Sequence, residues 1–254
     1  MRPVALNKFS VAAFAFAACF VDGSPLADPG APQAAEPETR FRKATTEDLV
    51  ALGRRSVAAL GSYSARLTKQ ERVGGKLLAP QVIDVTVRDR PRALRLSFVS
   101  GPKNGRRVLY NAELRASEML VREAGLLGIT SVWVGLDSAL SRGDTNHRIT
   151  DIGFGPLLDL VENDLRKGKA AGGHARKDEG LDASGAFCLL FTAPAGVPGL
   201  YADRTRLCID PVLGLPVKIE VLDKTGTVEK YEWARIKANL PLPASFFTPA
   251  AAGL

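Results

Sequence analysis

The fold class is decided by residues 208–236, which read CIDPVLGLPVKIEVLDKTGTVEKYEWARI. Within this stretch Val217, Ile219 and Val221 alternate with charged residues, which is the period of a strand with one apolar face and one wet face. Residues 223–226 contain the Asp and Gly of a hairpin turn, and residues 228–236 continue as a further long strand. The stretch therefore predicts consecutive antiparallel strands that bury one face.

The same alternation recurs earlier in the chain, in segments separated by turns that contain Gly or Pro. The apolar positions of these segments are Tyr63, Ala65, Leu67, Ile83, Val85, Val87, Leu94, Leu96 and Phe98. Less regular apolar runs predict further strands at residues 107–112, 118–123, 132–136, 186–192 and 205–209. Spacing of this kind is typical of an antiparallel meander.

Two helices accompany the predicted strands. Thr45 followed by acidic residues is typical of a helix start, because the hydroxyl caps free N–H groups and the acids suit the positive end of the helix dipole. A second helix is predicted to begin at Pro156, where the missing N–H costs little, and to end near residues 167–168. Residues 169–184 are polar and Gly-rich, and they predict a long loop. The apolar stripe of the second helix is Phe154, Leu157, Leu158, Val161 and Leu165.

Together these elements predict a mainly β (α+β) fold. A single antiparallel sheet has to bury one face, and the helices are its natural cover. We therefore expect a strongly curved antiparallel sheet, or incomplete β-barrel, of about ten strands covered by two or more helices. Residues 45–250 are long enough for one such domain.

The N-terminus has the pattern of a secretory signal. Arg2 and Lys8 form a short positive region, and residues 9–21 are almost wholly apolar but too short to span a bilayer as a helix. We predict a signal peptide at residues 1–23 and a disordered, Ala- and Pro-rich linker at residues 24–44. Cys19 lies in a sequence that resembles a bacterial lipobox, which leaves two locations open. We therefore expect a periplasmic protein, or an outer-membrane lipoprotein if Cys19 is lipidated.

The charge of the chain indicates no nucleic-acid partner. Lys and Arg number 34 against 27 Asp and Glu, a net charge of +7. These basic residues are scattered, whereas a nucleic-acid footprint would cluster them on one face. A weak, peripheral attraction to anionic membrane surfaces is compatible with this charge.

Beyond Cys19 the chain has two cysteines, Cys188 and Cys208, each within an apolar run that predicts a strand. An even pair in an exported chain predicts a disulfide, with two buried free thiols as the alternative. Two cysteines and two isolated histidines show no metal-ligand spacing. We therefore predict no metal site and no cofactor.

The ending of the chain resembles that of LolA-like periplasmic proteins, the lipoprotein-carrier superfamily. The resemblance lies in Cys-Ile-Asp-Pro at 208–211, Leu-Pro-Val-Lys at 215–218, Asp-Lys-Thr-Gly at 223–226 and Tyr-Glu-Trp at 231–233, followed by Asn239 and Phe246-Phe247. Three further segments resemble the bacterial family called domain of unknown function 1571. They are residues 69–77, 105–110 and 147–153.

The resemblance implies an incomplete β-barrel whose helices form a lid over an apolar interior. In LolA-like carriers that interior shelters acyl chains, so the expected function is a non-catalytic envelope protein that binds or carries a lipid or acylated ligand. The residues expected to line the cavity are Ile83, Val85, Val87, Leu94, Leu96, Phe98, Phe154, Leu157, Leu158, Val161, Leu165, Val217, Ile219 and Val221. Two alternatives stay open: an envelope hydrolase acting on cell-wall or lipid material, and a scaffold that binds another envelope protein on the outer sheet face.

The polar residues give weaker indications, and no catalytic residue is predicted. Residues 69–72, Lys-Gln-Glu-Arg, are polar at every position of a predicted strand, which suits an exposed strand end or a polar rim at the barrel mouth. His147 and Asp151 are expected to cap or hydrogen-bond rather than catalyse, and His174 is expected to be exposed in a loop. Tyr231 and Trp233 share a strand face with Glu229 and are expected to be core or rim aromatics.

Overall fold

The computed structural model describes residues 35–125, 128 and 130–254, which belong to one compact unit. The predicted signal peptide, Cys19 and residues 24–34 of the predicted linker lie outside the described residues. Among the helices that are described, none has both the length and the apolar character needed to cross a membrane.

One antiparallel sheet of twelve strands forms the body of the protein. Its order is β7-β6-β5-β4-β3-β1-β12-β11-β10-β9-β8, and β2 pairs with β1 off this path. The strands are β1 (Ser62–Val73), β2 (Lys76–Leu77), β3 (Gln81–Arg88), β4 (Ala93–Ser100), β5 (Arg107–Asn111), β6 (Glu118–Arg122), β7 (Val132–Gly135), β8 (Ala175–Leu181), β9 (Phe187–Thr192), β10 (Arg204–Ile209), β11 (Pro216–Asp223) and β12 (Gly226–Lys237). The curved sheet does not close, which confirms the predicted half-barrel.

In the described part of the chain five α-helices accompany the sheet: α1 (Ala35–Lys43), α2 (Thr46–Ala58), α3 (Ala139–Arg142), α4 (Phe154–Lys169) and α5 (Pro249–Ala252). Thr45 caps α2 as the sequence predicts, since its hydroxyl accepts the Asp48 N–H at 3.1 Å. Helix α4 begins two residues earlier than predicted. Gly153 precedes it at φ +134°, where a Cβ would lie 2.7 Å from the Tyr63 hydroxyl, so glycine allows α4 to start directly against β1.

Two apolar clusters lie on the face of the sheet that contacts α4, which we call the inner face. One cluster packs Tyr63 and Phe154 with the inner residues of β1, β3 and β4, and the other packs Phe41, Leu49 and Val161 against β9 to β11. The outer face has its own cluster, where Phe247 and Ala252 pack on β4 to β6. Because successive side chains of a strand alternate, Leu94 contributes to the inner core while Ala93 lies under the C-terminal segment.

Two segments differ from the predictions. Helix α1 occupies part of the predicted linker, because Phe41 is buried with its ring centroid 5.3 Å from that of Phe187. Strand β8 occupies part of the predicted loop at residues 169–184. It is an edge strand of largely polar residues whose backbone pairs with β9. Neither segment has the apolar period from which a helix or a strand is predicted. Tertiary contacts stabilise both segments, and the sequence pattern does not show those contacts.

The predicted disulfide is confirmed. Cys188 on β9 and Cys208 on β10 are directly opposite each other in the ladder, and their sulfurs are bonded. Both residues are buried. The alternative of two free thiols is therefore wrong.

We expect the double variant Cys188→Ala/Cys208→Ala to lose about 3 kcal/mol of unfolding free energy, because the bond constrains the unfolded chain. The sequence separation of 20 sets this size. Guanidinium unfolding of the oxidised protein and the variant measures the difference. Alkylation of the native protein without reductant that labels both cysteines would contradict the expectation.

Candidate functional site

A cavity of about 350 Å³ lies between α4 and the inner face of the sheet. Its walls come from strands on both sides of the β1–β12 pair, from α4 and from the segment 136–153. Apolar side chains line most of it, including Leu67, Met119, Leu136 and Leu160. This volume falls at the lower end of the range of small-ligand sites, roughly 300–1,000 Å³.

Six of the fourteen predicted cavity residues line this space, and eight do not. The six are Ile83, Leu96, Phe98, Leu157, Ile219 and Val221. The other eight are Val85, Val87, Leu94, Phe154, Leu158, Val161, Leu165 and Val217; seven of them are buried in the core, and Leu165 is half-buried against it. The Phe154 ring fills one end of the inner space, with centroid distances of 5.1 Å to Tyr63 and 4.9 Å to Trp233. That any of these residues contacts a ligand stays a prediction.

Two buried carboxylates lie at the polar end of the cavity. Glu71 on β1 and Glu229 on β12 are directly opposite each other across the ladder, and each residue is only 2% exposed. Both line the cavity, because they occupy the same strand faces as Leu67 and Trp233. Like charges in opposed positions destabilise a sheet, so these two carboxylates need donors and positive charge nearby.

Donors to Glu71 come from the segment before α4 and from β12. The Asn146 backbone N–H donates at 3.3 Å, the Thr145 hydroxyl at 3.2 Å, and the Tyr231 hydroxyl donates as well. The two hydroxyls donate to one carboxylate oxygen. The Lys69 ammonium lies 3.2 Å from the second oxygen, which also accepts the Asn146 N–H. Glu71 is therefore fully engaged by its own chain.

Glu229 is engaged in the same way. The Asn146 side-chain amide donates to it at 2.8 Å, and the Tyr201 hydroxyl donates at 2.5 Å. The His147 Nε2 atom lies 2.9 Å from the same carboxylate oxygen and 2.9 Å from the Tyr201 hydroxyl. Residues 145–147 and Tyr201, from two different connections, are thus fastened to one pair of strands; we call these four residues together with the two carboxylates the glutamate clasp.

Burial and charge act against each other on the titrating groups of the clasp. Burial lowers the pKa of His147, but the hydrogen bond and charge of Glu229 outweigh it, so the pKa is raised. Burial raises the pKa of Glu229, but the hydrogen bond and charge of His147 outweigh it, so the pKa is lowered. Both shifts favour the charged forms of His147 and Glu229, whose side chains lie within hydrogen-bond distance.

The spacing of the clasp side chains is compatible with binding a cation or with transferring a proton. Glu71, His147 and Glu229 offer ligand atoms that all lie within 4.8 Å of one another. A metal ion there would have to displace the Lys69 ammonium and the hydrogen bonds of Asn146. Burial and the charge of Glu229 raise the pKa values of Tyr201 and Tyr231, which keeps both phenols protonated.

Several sequence-based expectations about polar residues need correction. Glu71 is not in an exposed strand end; Lys69 and Glu71 line the cavity as the rim interpretation predicted. The His174 side chain is 5% exposed rather than solvated, and its Nε2 lies 3.7 Å from Asp164. His147 and Asp151 each make a hydrogen bond, as expected. The His147 ring is bonded to Glu229, and the Asp151 carboxylate accepts the Arg148 N–H at 2.9 Å. Trp233 is a core aromatic, and its indole N–H has no acceptor among the described residues.

The sequence analysis did not find that Glu71 lies opposite Glu229. It also did not find that Asn146 and Tyr201 donate hydrogen bonds to these carboxylates. The sequence did contain one indication that both carboxylates face the inner side of the sheet. Glu71 continues the buried odd-numbered positions of β1, and Glu229 lies on the same face of β12 as Tyr231. The pairing register between strands that far apart in sequence could not be obtained from the pattern.

An unclosed antiparallel sheet that curves over helices and leaves a cavity beneath them defines a LolA-like half-barrel. The chain belongs to the family described as "protein of unknown function (DUF1571)", whose model matches residues 60–252. No curated protein sequence matches the chain.

Solved structures with similar folds include a lipoprotein, a LolA superfamily protein and a protein complex. Lipoprotein LppX of Mycobacterium tuberculosis is 14% identical, with 78% of this chain and 100% of that chain covered and a TM-score of 0.46. A LolA superfamily protein of Nitrosomonas europaea is 12% identical, with 82% and 99% covered and a TM-score of 0.36. The MucA/MucB complex of Pseudomonas aeruginosa gives 14% identity, 81% and 62% coverage and a TM-score of 0.41. At these identities and TM-scores the likenesses carry no argument about function.

We expect stability to depend on pH through the glutamate clasp. Because the folded-state pKa of His147 is above its ordinary 6.5, the stabilisation is complete below pH 6.5 and is lost as pH rises through the folded pKa. The pKa of Glu229 is below its ordinary 4.5, so its contribution is present above pH 4.5 and is lost as pH falls through the folded pKa. His147→Gln should therefore cost about 1–3 kcal/mol near pH 6, and less near pH 9.

Urea unfolding of the variant and the parent across this pH range measures the effect. The chain has two histidines, so His174→Gln is the matched control. A fall in stability between pH 6 and pH 9 that persists in His147→Gln and disappears in His174→Gln would contradict the assignment.

Proposed function

We propose that this protein binds a single-chain lipid, or the acyl chain of an acylated molecule, in the cavity beneath α4, without catalysing a reaction on it. The observation that carries the proposal is the cavity of about 350 Å³ with apolar walls and one polar end. An ordinary sheet-and-helix core would fill this space with side chains. An amphiphile matches such a space, because its tail needs apolar walls and its head needs polar partners.

The energetics suit a carrier that uses no catalytic group. Each CH₂ moved from water into an apolar site gains about 0.8 kcal/mol. A chain of about eight buried carbons therefore gains roughly 6 kcal/mol before the costs of association. Binding and release can then be controlled by access to the cavity rather than by bond chemistry.

The hydrolase alternative has one observation in its favour, the hydrogen bond between His147 and Glu229. The same imidazole nitrogen faces both Glu229 and Tyr201, while Nδ1 lies 3.9 Å from the Asp151 carboxylate. Among the described residues the imidazole ring makes no hydrogen bond to a serine, threonine or cysteine side chain. A nucleophile activated by this histidine would have to come from elsewhere.

The scaffold alternative places a partner protein on the outer face of the sheet. Part of that face is already covered, since Phe247 is fully buried against Ala93 and Leu109. The cavity therefore supports the binding proposal more directly than the outer face supports a scaffold.

We expect affinity for saturated fatty acids to rise about fifteenfold for each two added carbons, until the chain outgrows the cavity. Isothermal titration of the delipidated protein with a homologous series measures this slope. Native mass spectrometry of freshly purified protein is the companion experiment and should show a bound amphiphile. No binding by any member of the series would reject the proposal.

Filling the cavity should abolish this binding. Leu160 on α4 lines the cavity and is half-buried, so Leu160→Trp places an indole in the ligand space. The matched control is Leu140→Trp on α3, because Leu140 is 81% exposed and does not line the cavity. We expect at least a tenfold loss of affinity in the first variant and none in the second. Equal affinities in both would place the ligand elsewhere.

We also propose that the protein works outside the cytoplasm, as a periplasmic protein or a lipoprotein of the outer membrane. The disulfide and the signal-like residues 1–23 support this. N-terminal sequencing of fractionated protein should find the first ~18–23 residues removed. Labelling by a palmitate analogue that is lost in Cys19→Ala would identify a lipoprotein, and a full-length cytoplasmic product would contradict export.

A further inference from the structure

The Gln81 amide is a polar group of the cavity that has no partner among the described residues. Gln81, at the start of β3, is 5% exposed and lines the cavity. Its amide makes no hydrogen bond to any other described side chain or backbone group, although Gln70 nearby donates to the Leu78 carbonyl. Gln81 is thus a polar group available to a ligand.

Two lysine side chains line the same cavity as this amide. Lys69 is directly opposite Gln81 in the β1–β3 ladder, and its ammonium donates to the Thr145 hydroxyl at 3.0 Å. Lys103 pairs with Asp144, the residue before Thr145, and it also lines the cavity. Adjacent residues of one segment therefore hold both ammonium groups, whose side chains are only 12% and 17% exposed.

The electrostatics show that these cations are close enough to interact. Burial lowers the pKa of Lys103, the hydrogen bond of Asp144 opposes this, and the charges of Arg106 and Lys69 lower it further. An anion placed between the two lysines would relieve this repulsion and receive charge-assisted hydrogen bonds. A cationic head would meet the same repulsion and gain nothing from Lys69 or Lys103.

The neighbouring carboxylates do not offer a comparable site for a cation. Glu71 and Glu229 accept hydrogen bonds from Asn146, which is held within the clasp. Asp144 is already paired with Lys103. Among the described residues at this end of the cavity, the Gln81 amide makes no hydrogen bond, and Lys69 lies opposite it in the β1–β3 ladder.

Polarity along β1 and β3 also matches the shape of an amphiphile. The opposed pair Lys69–Gln81 is followed on the same face by the opposed pair Leu67–Ile83, and all four residues line the cavity. Successive pairs on one strand face are roughly 7 Å apart, a few bond lengths of an acyl chain. A head at the first pair would direct its tail along the second.

Resting on the proposed function, we infer that the cavity contains a subsite for an anionic headgroup, a carboxylate or a phosphate, formed by Gln81, Lys69 and Lys103. The ligand class is then a single-chain anionic amphiphile, rather than a neutral or cationic lipid. The two lysines supply charge, and the amide of Gln81 supplies a directional hydrogen bond.

The experiment compares three probes of equal tail length: dodecanoate, dodecyl phosphate and dodecanol. Isothermal titration of the delipidated protein near pH 7 should give at least tenfold higher affinity for the two anions than for the alcohol. The anion with the higher affinity then shows whether the subsite prefers a carboxylate or a phosphate headgroup.

Two variants test the named residues. Lys103→Met and Gln81→Leu should each lose most of the preference for the anions, with dodecanol affinity changed by less than threefold. The matched controls are Lys76→Met, an exposed lysine away from the cavity, and Gln70→Leu, whose amide faces the Leu78 carbonyl. Lys69 is left intact because its removal would leave Glu71 without its cation.

The outcomes separate the two proposals. Equal affinity of all three probes for the parent protein overturns the anionic subsite and leaves the cavity proposal standing. Absence of binding by all three overturns both. A preference that both variants retain also overturns the assignment to these residues. If Gln81→Leu fails to fold, the subsite is tested by the affinities of the three probes for the parent protein and for Lys103→Met.

Discussion

The pairing of β1 with β12 is the interaction on which the rest of the structure depends. The two strands come from opposite ends of the domain, and their ladder joins the β3–β7 side of the sheet to the β8–β11 side. Its register places Leu67 opposite Trp233, Lys69 opposite Tyr231, and Glu71 opposite Glu229. One register therefore sets the apolar wall of the cavity and its polar end at once. A slip of one residue would turn every one of these side chains to the other face.

The buried carboxylates explain how this end of the protein is organised. A charge removed from water needs hydrogen bonds and opposite charge, or the group loses its ionised form. Here the donors come from residues 145–147 and from Tyr201, which belong to connections remote in sequence from both strands. Satisfying the carboxylates thus fixes the position of two connections at the edge of the cavity. This requirement accounts for the geometry of His147.

The inner face combines a solid core with an open space, and aromatic residues mark the boundary. Phe154 packs between Tyr63 and Trp233, so the end of the sheet nearest Gly153 is filled. Beyond Trp233 the facing residues become Leu67, Ile83 and Tyr231, and the space between them and α4 stays open. Lys69 and Gln81 close the polar end. The same strands therefore form a packed core at one end and line the cavity at the other.

By itself, the sequence determined the curved antiparallel sheet, helices α2 and α4 and the cysteine pairing, because periodicity, caps and cysteine parity are local or pairwise signals. It missed α1 and β8, whose residues show no apolar period and are ordered by contacts with β9. It could not separate Ile83, which lines the cavity, from Val85, which packs in the core, since both occupy buried positions of one strand face. Only the tertiary structure decided that division, together with the meeting of Glu71, His147 and Glu229, because strand register and the volume left by large side chains depend on residues distant in the chain.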